Sequence, residues 1–184
     1  MLKISMICLT LFIVLVAVLG VIAPTDFKVE REIIINKPRE VVFPYLKLVE
    51  NSNKWNPWVR RDPNIKLTTK GIDGTVGFIG GWIGNKEVGE GEQEIKNIVE
   101  GNRIDIELRF KKPFEATNQA YLATEVVSAE QTKVKWGMSG INKFPISIIC
   151  MVLGMQKMLV KDFDSGLADL KNNLEGSLVA TPVK

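Results

Sequence analysis

The residue types that most often carry chemistry are scarce in this sequence. None of its 184 residues is a histidine, which excludes a Ser-His-Asp triad and histidine general-base catalysis and removes the commonest transition-metal ligand. Cys8 and Cys150 lie in apolar segments with no other metal-ligand type beside them, so no zinc site is predicted. A disulfide between them would join the N-terminal apolar run to the folded core, and both are therefore predicted to be free thiols.

The carboxylates do not supply a paired acid and base. Most of those on the predicted strands alternate with other residues and fall on a solvated face, because adjacent like charges are costly to bury: Glu90, Glu92, Glu94, Asp105 and Glu107. A general acid or base must point into the binding cavity, and only Glu87 and Glu125 stay open as outside candidates. No catalytic residue, metal site or cofactor is predicted.

Length and charge narrow the class of protein. A chain of 184 residues suggests one domain with an appendage. The formal net charge is only +3, and no basic run with interleaved aromatic residues is present. Nucleic acid is therefore disfavoured as a partner.

An uncharged apolar segment runs from Ile4 to Ala23. A helix of about twenty residues spans the hydrocarbon core of a bilayer. A cleaved signal peptide is the alternative, but its apolar region is usually shorter, at about 7–15 residues, and Pro24 would follow the cut directly. Residues 1–24 are therefore predicted to be a retained single-pass membrane anchor. Basic residues on both sides leave the sidedness open, with a mild preference for a cytoplasmic domain: Lys3, Lys28, Arg31, Lys37 and Arg39.

The stretch from Phe144 to Gly176 is predicted to form one long helix that organises the domain. Pro145 suits its first position and Gly176 suits a C-terminal cap. Apolar residues recur at steps of three and four and form one stripe: Ile148, Val152, Met155, Leu159, Phe163, Leu167, Leu170 and Leu174. The first part of the helix is apolar on nearly all sides, so it is enclosed or touches an apolar surface. Its methionines either wall a lipophilic cavity or fill ordinary core.

Residues 27 to 140 are predicted to form an antiparallel sheet of about seven strands with one dry face. The clearest strand alternates Ile104, Ile106, Leu108 and Phe110 with charged residues. A short helix follows the first strand, and a polar loop after it carries Trp55 and Trp58. Residues 177–184 are predicted to be a flexible tail.

The order of these elements resembles the START-like, or SRPBCC, superfamily and in particular its polyketide cyclase/dehydrase and lipid-transport group. The resemblance rests on four segments spread from residue 27 to 176: Ile35–Leu46, Lys54–Trp58, Gly74–Gly91 and Asp162–Lys171. It implies an α+β helix-grip fold, in which a curved antiparallel sheet clasps the C-terminal helix around an elongated hydrophobic cavity. The superfamily includes lipid carriers, quinone-binding proteins, cyclases and chaperone activators, so the fold does not choose a function.

The cavity would be lined by inward-facing apolar residues with a few polar groups, as small-molecule sites are. The candidates are Trp82, Gln93, Ile106, Leu108, Asn118, Leu122, Trp136, Met138, Met155, Met158 and Phe163. The Gln93 and Asn118 amides each bond a neighbour or await a ligand. The two tryptophans of the loop either gate the cavity, sit at a membrane interface or, as the resemblance implies, plug the space under the sheet.

Three functions remain open on these observations. The first is a membrane-anchored, non-catalytic carrier or sensor of a hydrophobic small molecule, such as a lipid, isoprenoid or quinone-like species. The second is a cyclase or dehydratase acting on a polyketide-like substrate, which needs an ionisable side chain in the cavity. The third is a protein-interaction module whose cavity is filled by its own side chains.

Overall fold

The computed structural model describes residues 2–176, with side chains from residue 5 onward. Seven strands form one antiparallel sheet in the order β1-β7-β6-β5-β4-β3-β2. They are β1 (Asp26–Ile35), β2 (Lys66–Lys70), β3 (Ile79–Ile83), β4 (Glu90–Val99), β5 (Arg103–Lys112), β6 (Ala116–Ser128) and β7 (Gln131–Ile141). The sheet confirms the predicted meander. The tail assigned to residues 177–184 lies outside the described residues.

The two faces of the sheet differ because side chains alternate along each strand. On β5, Ile104 and Ile106 are buried on the face that carries the helices, which we call the inner face. The alternate residues Asp105 and Glu107 point to the outer face, where they meet cationic partners. The clean alternation of this strand in the sequence is therefore an accurate guide to its orientation.

Within residues 2–176, six helices accompany the sheet: α1 (Leu2–Ile22), α2 (Arg39–Lys47), α3 (Val49–Ser52), α4 (Pro57–Arg61), α5 (Ile146–Val152) and α6 (Met155–Gly176). Helix α6 packs along β1 on the inner face, and its buried stripe contains Phe163, Leu167, Leu170 and Leu174. Helix α1 is long and apolar enough to cross a membrane, a property that an anchor and a signal sequence share.

The single long helix predicted from Phe144 is wrong in its first third. The chain forms two helices, because Gly154 between them adopts a left-handed φ of +62°. This conformation is open to glycine and ends a right-handed helix. Pro145 precedes α5 rather than occupying its first turn.

The predicted polar loop contains the two short helices α3 and α4. The side chain of Asn56 caps α4 by accepting a hydrogen bond from the Trp58 N–H at 2.9 Å, and Pro57 fits its first position. Both features can be read from the sequence Asn-Pro-Trp, so a cap signal was present in a segment predicted to be irregular.

The two ends of the sheet have different neighbours. At one end, which we call the α1 end, β1 begins and β7 finishes: the Asn142 N–H donates to the Thr25 carbonyl at 2.7 Å. Helix α1 reaches the same place, since a Cβ added at Gly20 would lie 3.4 Å from the Phe144 ring. The opposite, distal end carries the β6–β7 hairpin.

Candidate functional site

The space between the sheet and α6 is packed with buried side chains at its centre and in its distal half. Trp136 of β7 and Phe163 of α6 stack with centroids 4.1 Å apart and planes 2° apart. Trp55 and Trp58 meet the Trp136 ring edge-on, at 5.0 and 5.8 Å. Both tryptophans therefore plug the space under the sheet, as the resemblance implied.

Ion pairs hold this aromatic cluster in place. The Arg61 guanidinium donates to the Asp162 carboxylate on α6, with one hydrogen bond of 3.1 Å. Arg60 pairs with Asp169 and donates to the Ser165 hydroxyl at 2.9 Å. Helix α4 is thereby clamped to α6 at three residues of the Asp162–Lys171 segment that carried the resemblance.

The inner face is more open towards the α1 end. Four side chains there are only half-buried, although they project from the same face as the packed core: Trp82, Gln93, Leu108 and Phe110. With the buried Asn118, which pairs with Leu108 in the β5–β6 register, they form what we call the inner groove. Met155 and Met158, in the first turns of α6, are 37% and 50% exposed.

Glycines shape the floor of the inner groove. A Cβ added at Gly91 would lie 2.5 Å from the Trp82 ring and 2.6 Å from the Arg109 carbonyl oxygen. Trp82 therefore lies across the bare backbone of Gly91, and its ring meets Phe110 edge-on at 5.7 Å. The predicted glycine-rich hairpin thus makes room for an aromatic ring at the groove.

The polar feature of the groove is Asn118. Its side chain is only 7% exposed, and among the described residues its Oδ1 has no hydrogen-bond partner. It lies against Gly140 of β7, where any added Cβ would collide with it. A buried oxygen without a partner is unfavourable, and such a group marks a place where a donor would bind well.

Comparison with known proteins assigns the fold. No family model and no curated protein matches the sequence, but many solved structures do. Norcoclaurine synthase from Thalictrum flavum, in complex with dopamine and hydroxybenzaldehyde, is 10% identical over 88% of this chain and 93% of that chain, with a TM-score of 0.65. The Aha1 dimer from Colwellia psychrerythraea is 16% identical over 81% and 96%, with a TM-score of 0.57. Protein MLL2253 from Mesorhizobium loti is 12% identical over 83% and 100%, with a TM-score of 0.61.

The chain has the START-like helix-grip fold. At these identities the likeness concerns the fold, and it confirms the seven-stranded curved sheet and the long C-terminal helix that the resemblance implied. The neighbours of this fold suggest a ligand-binding cavity.

The predicted ligand-binding residues lie in different parts of this fold and differ in burial. Four lie in the packed interior: Ile106, Leu122, Trp136 and Phe163. Two are buried on the sheet near the α1 end, Asn118 and Met138, and three are half-buried there, Trp82, Gln93 and Leu108. Met155 and Met158 lie on the exposed start of α6. Sequence reasoning missed Phe110, although the alternation of β5 placed it on the same face as Leu108.

The ionisable groups with clearly shifted pKa values lie mainly on the outer face. Arg109 donates to Glu92 and Glu94 at 2.7 Å each and to Glu107 at 2.5 Å. Hydrogen bonds from Arg109, and then from Lys96, lower the pKa of Glu94. These charges are paired and solvated on the side of the sheet away from the groove.

The two outside candidates for acid–base chemistry also lie away from the groove. Glu87 is exposed in the turn between β3 and β4. Glu125 is exposed and pairs with Lys135, whose hydrogen bond lowers the pKa of that carboxyl. Within residues 2–176, no group of three or more acidic or cysteine side chains is placed to hold a metal ion, and Cys8 and Cys150 are free thiols.

Two shallow depressions are the best-defined concavities of the described chain. One, of about 290 Å³, lies on the apolar surface of α1 around Val18 and Val21. The other, of about 410 Å³, lies on the outer face at the α1 end, beside Thr117, Gln119 and Ser139. Neither lies in the inner groove.

Proposed function

We propose that this chain is a membrane-anchored, non-catalytic carrier or sensor that binds a hydrophobic small molecule in the inner groove. One observation carries the proposal. The half-buried apolar part of the inner face lies at the same end of the sheet that α1 reaches, and the apolar Ser5–Ile22 segment of that helix is not buried by the domain. A groove at that end has the shortest path to a ligand dissolved in the bilayer.

The lining of the groove indicates the chemistry of the ligand. Trp82, Leu108 and Phe110 supply apolar contact, while the unpartnered Oδ1 of Asn118 would accept one hydrogen bond. A mainly apolar pocket with one placed polar group is typical of small-molecule sites. The matching ligand is a lipid, isoprenoid or quinone-like molecule with a hydroxyl or other donor at its polar end.

Entry requires that side chains move, and the start of α6 carries intrinsically flexible ones. Met155 and Met158 are exposed at the start of α6, and unbranched thioether side chains adapt to irregular shapes. Tethering by α1 would also hold the groove at a high effective concentration relative to a membrane-dissolved ligand. Modest intrinsic affinity would therefore be enough for occupancy.

The first test is native mass spectrometry of the full chain extracted from its membrane in a mild detergent. A co-purifying hydrophobic molecule is expected. In parallel, binding of a pyrene-labelled long-chain alcohol is followed by energy transfer from tryptophan. Leu108→Trp should fill the groove and weaken binding about tenfold or more, equivalent to roughly 1.4 kcal/mol.

A second groove variant and two matched controls make this test specific. Ile34→Trp adds the same ring to an exposed position of β1 and should leave binding unchanged. Asn118→Leu should weaken binding of the alcohol without loss of thermal stability, whereas Gln119→Leu, at the exposed neighbouring position, should do neither. Equal affinity in all four variants, together with an empty purified protein, refutes the proposal.

A protein-interaction module is the second candidate, because the centre of the inner face is filled by Trp55, Trp58, Trp136 and Phe163. It predicts that neither a co-purifying lipid nor uptake of the alcohol is found. A cyclase or dehydratase has less support, because the shifted carboxylates Glu90, Glu92 and Glu94 lie on the outer face.

A further inference from the structure

The segment around α5 exposes an unusual amount of apolar side chain. Phe144 and Leu153 are each 61% exposed and Val152 is 68% exposed, and Ile149 and Met155 are also uncovered. We call these five residues the apolar ledge. They are close together in sequence and lie at one corner of the domain, and contiguous exposed apolar surface of this kind marks an interaction site.

Along the chain, the charged residues that flank the ledge have one sign. No acidic residue occurs between Ile141 and Lys161, and exposed lysines flank the ledge at Lys143 and Lys157. The rest of α6 differs, since aspartates return from Asp162 onward. Apolar residues bordered by lysines are typical of segments that lie in a membrane interface, where the cations meet anionic headgroups.

The position of the ledge also points to a bilayer. Phe144 lies against Gly20 in the last turn of α1, and the exposed Val21 and Ile22 continue the apolar surface from that helix to the ledge. If α1 crosses the membrane as an anchor, its last turn lies at the membrane surface. The ledge beside it then lies at the same level.

We propose that the apolar ledge docks on the bilayer as a second membrane contact beside α1. This inference rests on the proposed membrane anchor. The occupant of the ledge is the lipid interface itself, with its anionic headgroups around Lys143 and Lys157. Docking fixes the orientation of the domain, so that the α1 end of the sheet, with the inner groove, faces the membrane.

The test uses the full chain in nanodiscs of phosphatidylcholine and phosphatidylglycerol that contain doxyl-labelled lipid. Bimane is attached to a single cysteine at Val152→Cys in a Cys8→Ser, Cys150→Ser background. The control label is Val126→Cys, an exposed position at the distal end, about 30 Å away along the strands. Doxyl lipid should quench the Val152 label several-fold more than the Val126 label, and aqueous iodide should show the reverse order.

A third label separates this inference from the anchor on which it rests. Bimane on the native Cys8, in a Cys150→Ser background, reports whether α1 lies in the bilayer. Lipid quenching at Cys8 but not at Val152 overturns the docking alone and leaves the anchor standing. Quenching at neither overturns both, while binding of the pyrene alcohol in detergent still tests the groove independently.

A further experiment tests the proposed contact of Lys143 and Lys157 with anionic headgroups. Lys143→Glu with Lys157→Glu should reduce lipid quenching of the Val152 label at least about twofold in phosphatidylglycerol discs, because repulsion replaces attraction to anionic headgroups. Lys70→Glu, at the exposed far end of β2, should leave the quenching unchanged. Equal quenching in the double variant and in Lys70→Glu contradicts the proposed contact with anionic headgroups.

Discussion

Replacing Phe163 by alanine tests whether the core is solid in the distal half. The ring is 1% exposed and stacks on Trp136 with centroids 4.1 Å apart. Removing a fully buried phenylalanine costs about 3–5 kcal/mol, and about 0.5–1.5 kcal/mol is the share expected from an aromatic pair. Since a domain is stabilised by only about 5–15 kcal/mol in total, Phe163→Ala should remain folded but lose much of its stability.

The measurement is urea unfolding of the full chain in a mild detergent, followed by tryptophan fluorescence. Three of the four tryptophans lie around Phe163, so the signal reports on this cluster. Phe163→Leu should lower the free energy of unfolding by about 1–2 kcal/mol. This milder variant can still be measured if the alanine variant does not fold.

Met158→Ala is the matched control on the same helix. Met158 is half exposed, so truncation should change the free energy of unfolding by less than about 1 kcal/mol. Equal losses at Phe163 and Met158 would refute the division of α6 into a packed part and an open part. A small loss at both would mean that the aromatic stack contributes little to the fold.

The groove floor and the outer face give three further predictions. Gly91→Ala should cost about 1–3 kcal/mol, because the new Cβ meets the Trp82 ring and backbone at 2.5–2.6 Å; thermal unfolding measures it. Arg109→Met should lower the melting temperature at neutral pH and do so progressively less as the pH falls below about 4.3, because the pKa of Glu94 is lowered in the folded protein and its stabilisation is lost as that carboxyl is protonated. Burial, and then a hydrogen bond to a neighbouring glutamate, raise the pKa of Tyr121 to about 12. The contribution of the neutral phenol to folding stability is therefore present below about pH 10 and lost as the pH rises through 12. The ultraviolet absorbance of the phenolate measures this titration.

Each of these predictions has a control in the chain. Gly81→Ala puts its Cβ near the Thr68 hydroxyl, an exposed side chain that can rotate away, so it should cost less than about 1 kcal/mol. Glu30→Gln removes the partner of Tyr121 and should lower the phenol pKa. Melting temperatures of Arg109→Met that stay below wild type by the same amount from pH 7 to pH 3 contradict the ion-pair explanation.

The sheet could be predicted because its signals are local. Alternation along β5 and β7 and the turn residues between strands determine which side chains face inwards, and the register of Ile104 with Leu122 and of Leu122 with Trp136 follows from them. The helix break at Gly154 was missed for a physical reason. Apolar residues continue at helical spacing through this point, and a single glycine is tolerated in helices as well as at their ends.

The sequence could not show which part of the inner face is tightly packed and which part is open. Trp82 and Trp136 both alternate inwards on their strands, yet Trp136 is enclosed by three aromatic rings and Trp82 is half-buried. What separates them is where α6 and the Trp55 segment cross the sheet, which depends on contacts between residues far apart in the chain. The unpartnered oxygen of Asn118 is likewise a property of the packed structure.

The contacts that hold the body of α6 to β1 explain why a bound ligand would move only the N-terminal end of this helix. The Arg31–Asp164 pair at 2.6 Å and the Asn36 N–H donating to Glu175 at 2.6 Å tie the body of α6 to β1. Upstream of Gly154 the chain turns away into α5, where Val152 is mostly exposed. Because tightly packed and ion-paired segments open at a higher free energy than exposed ones, uptake of a ligand should move α5 and the first turns of α6 and leave the aromatic cluster fixed. A bilayer against the apolar ledge would cover this same segment.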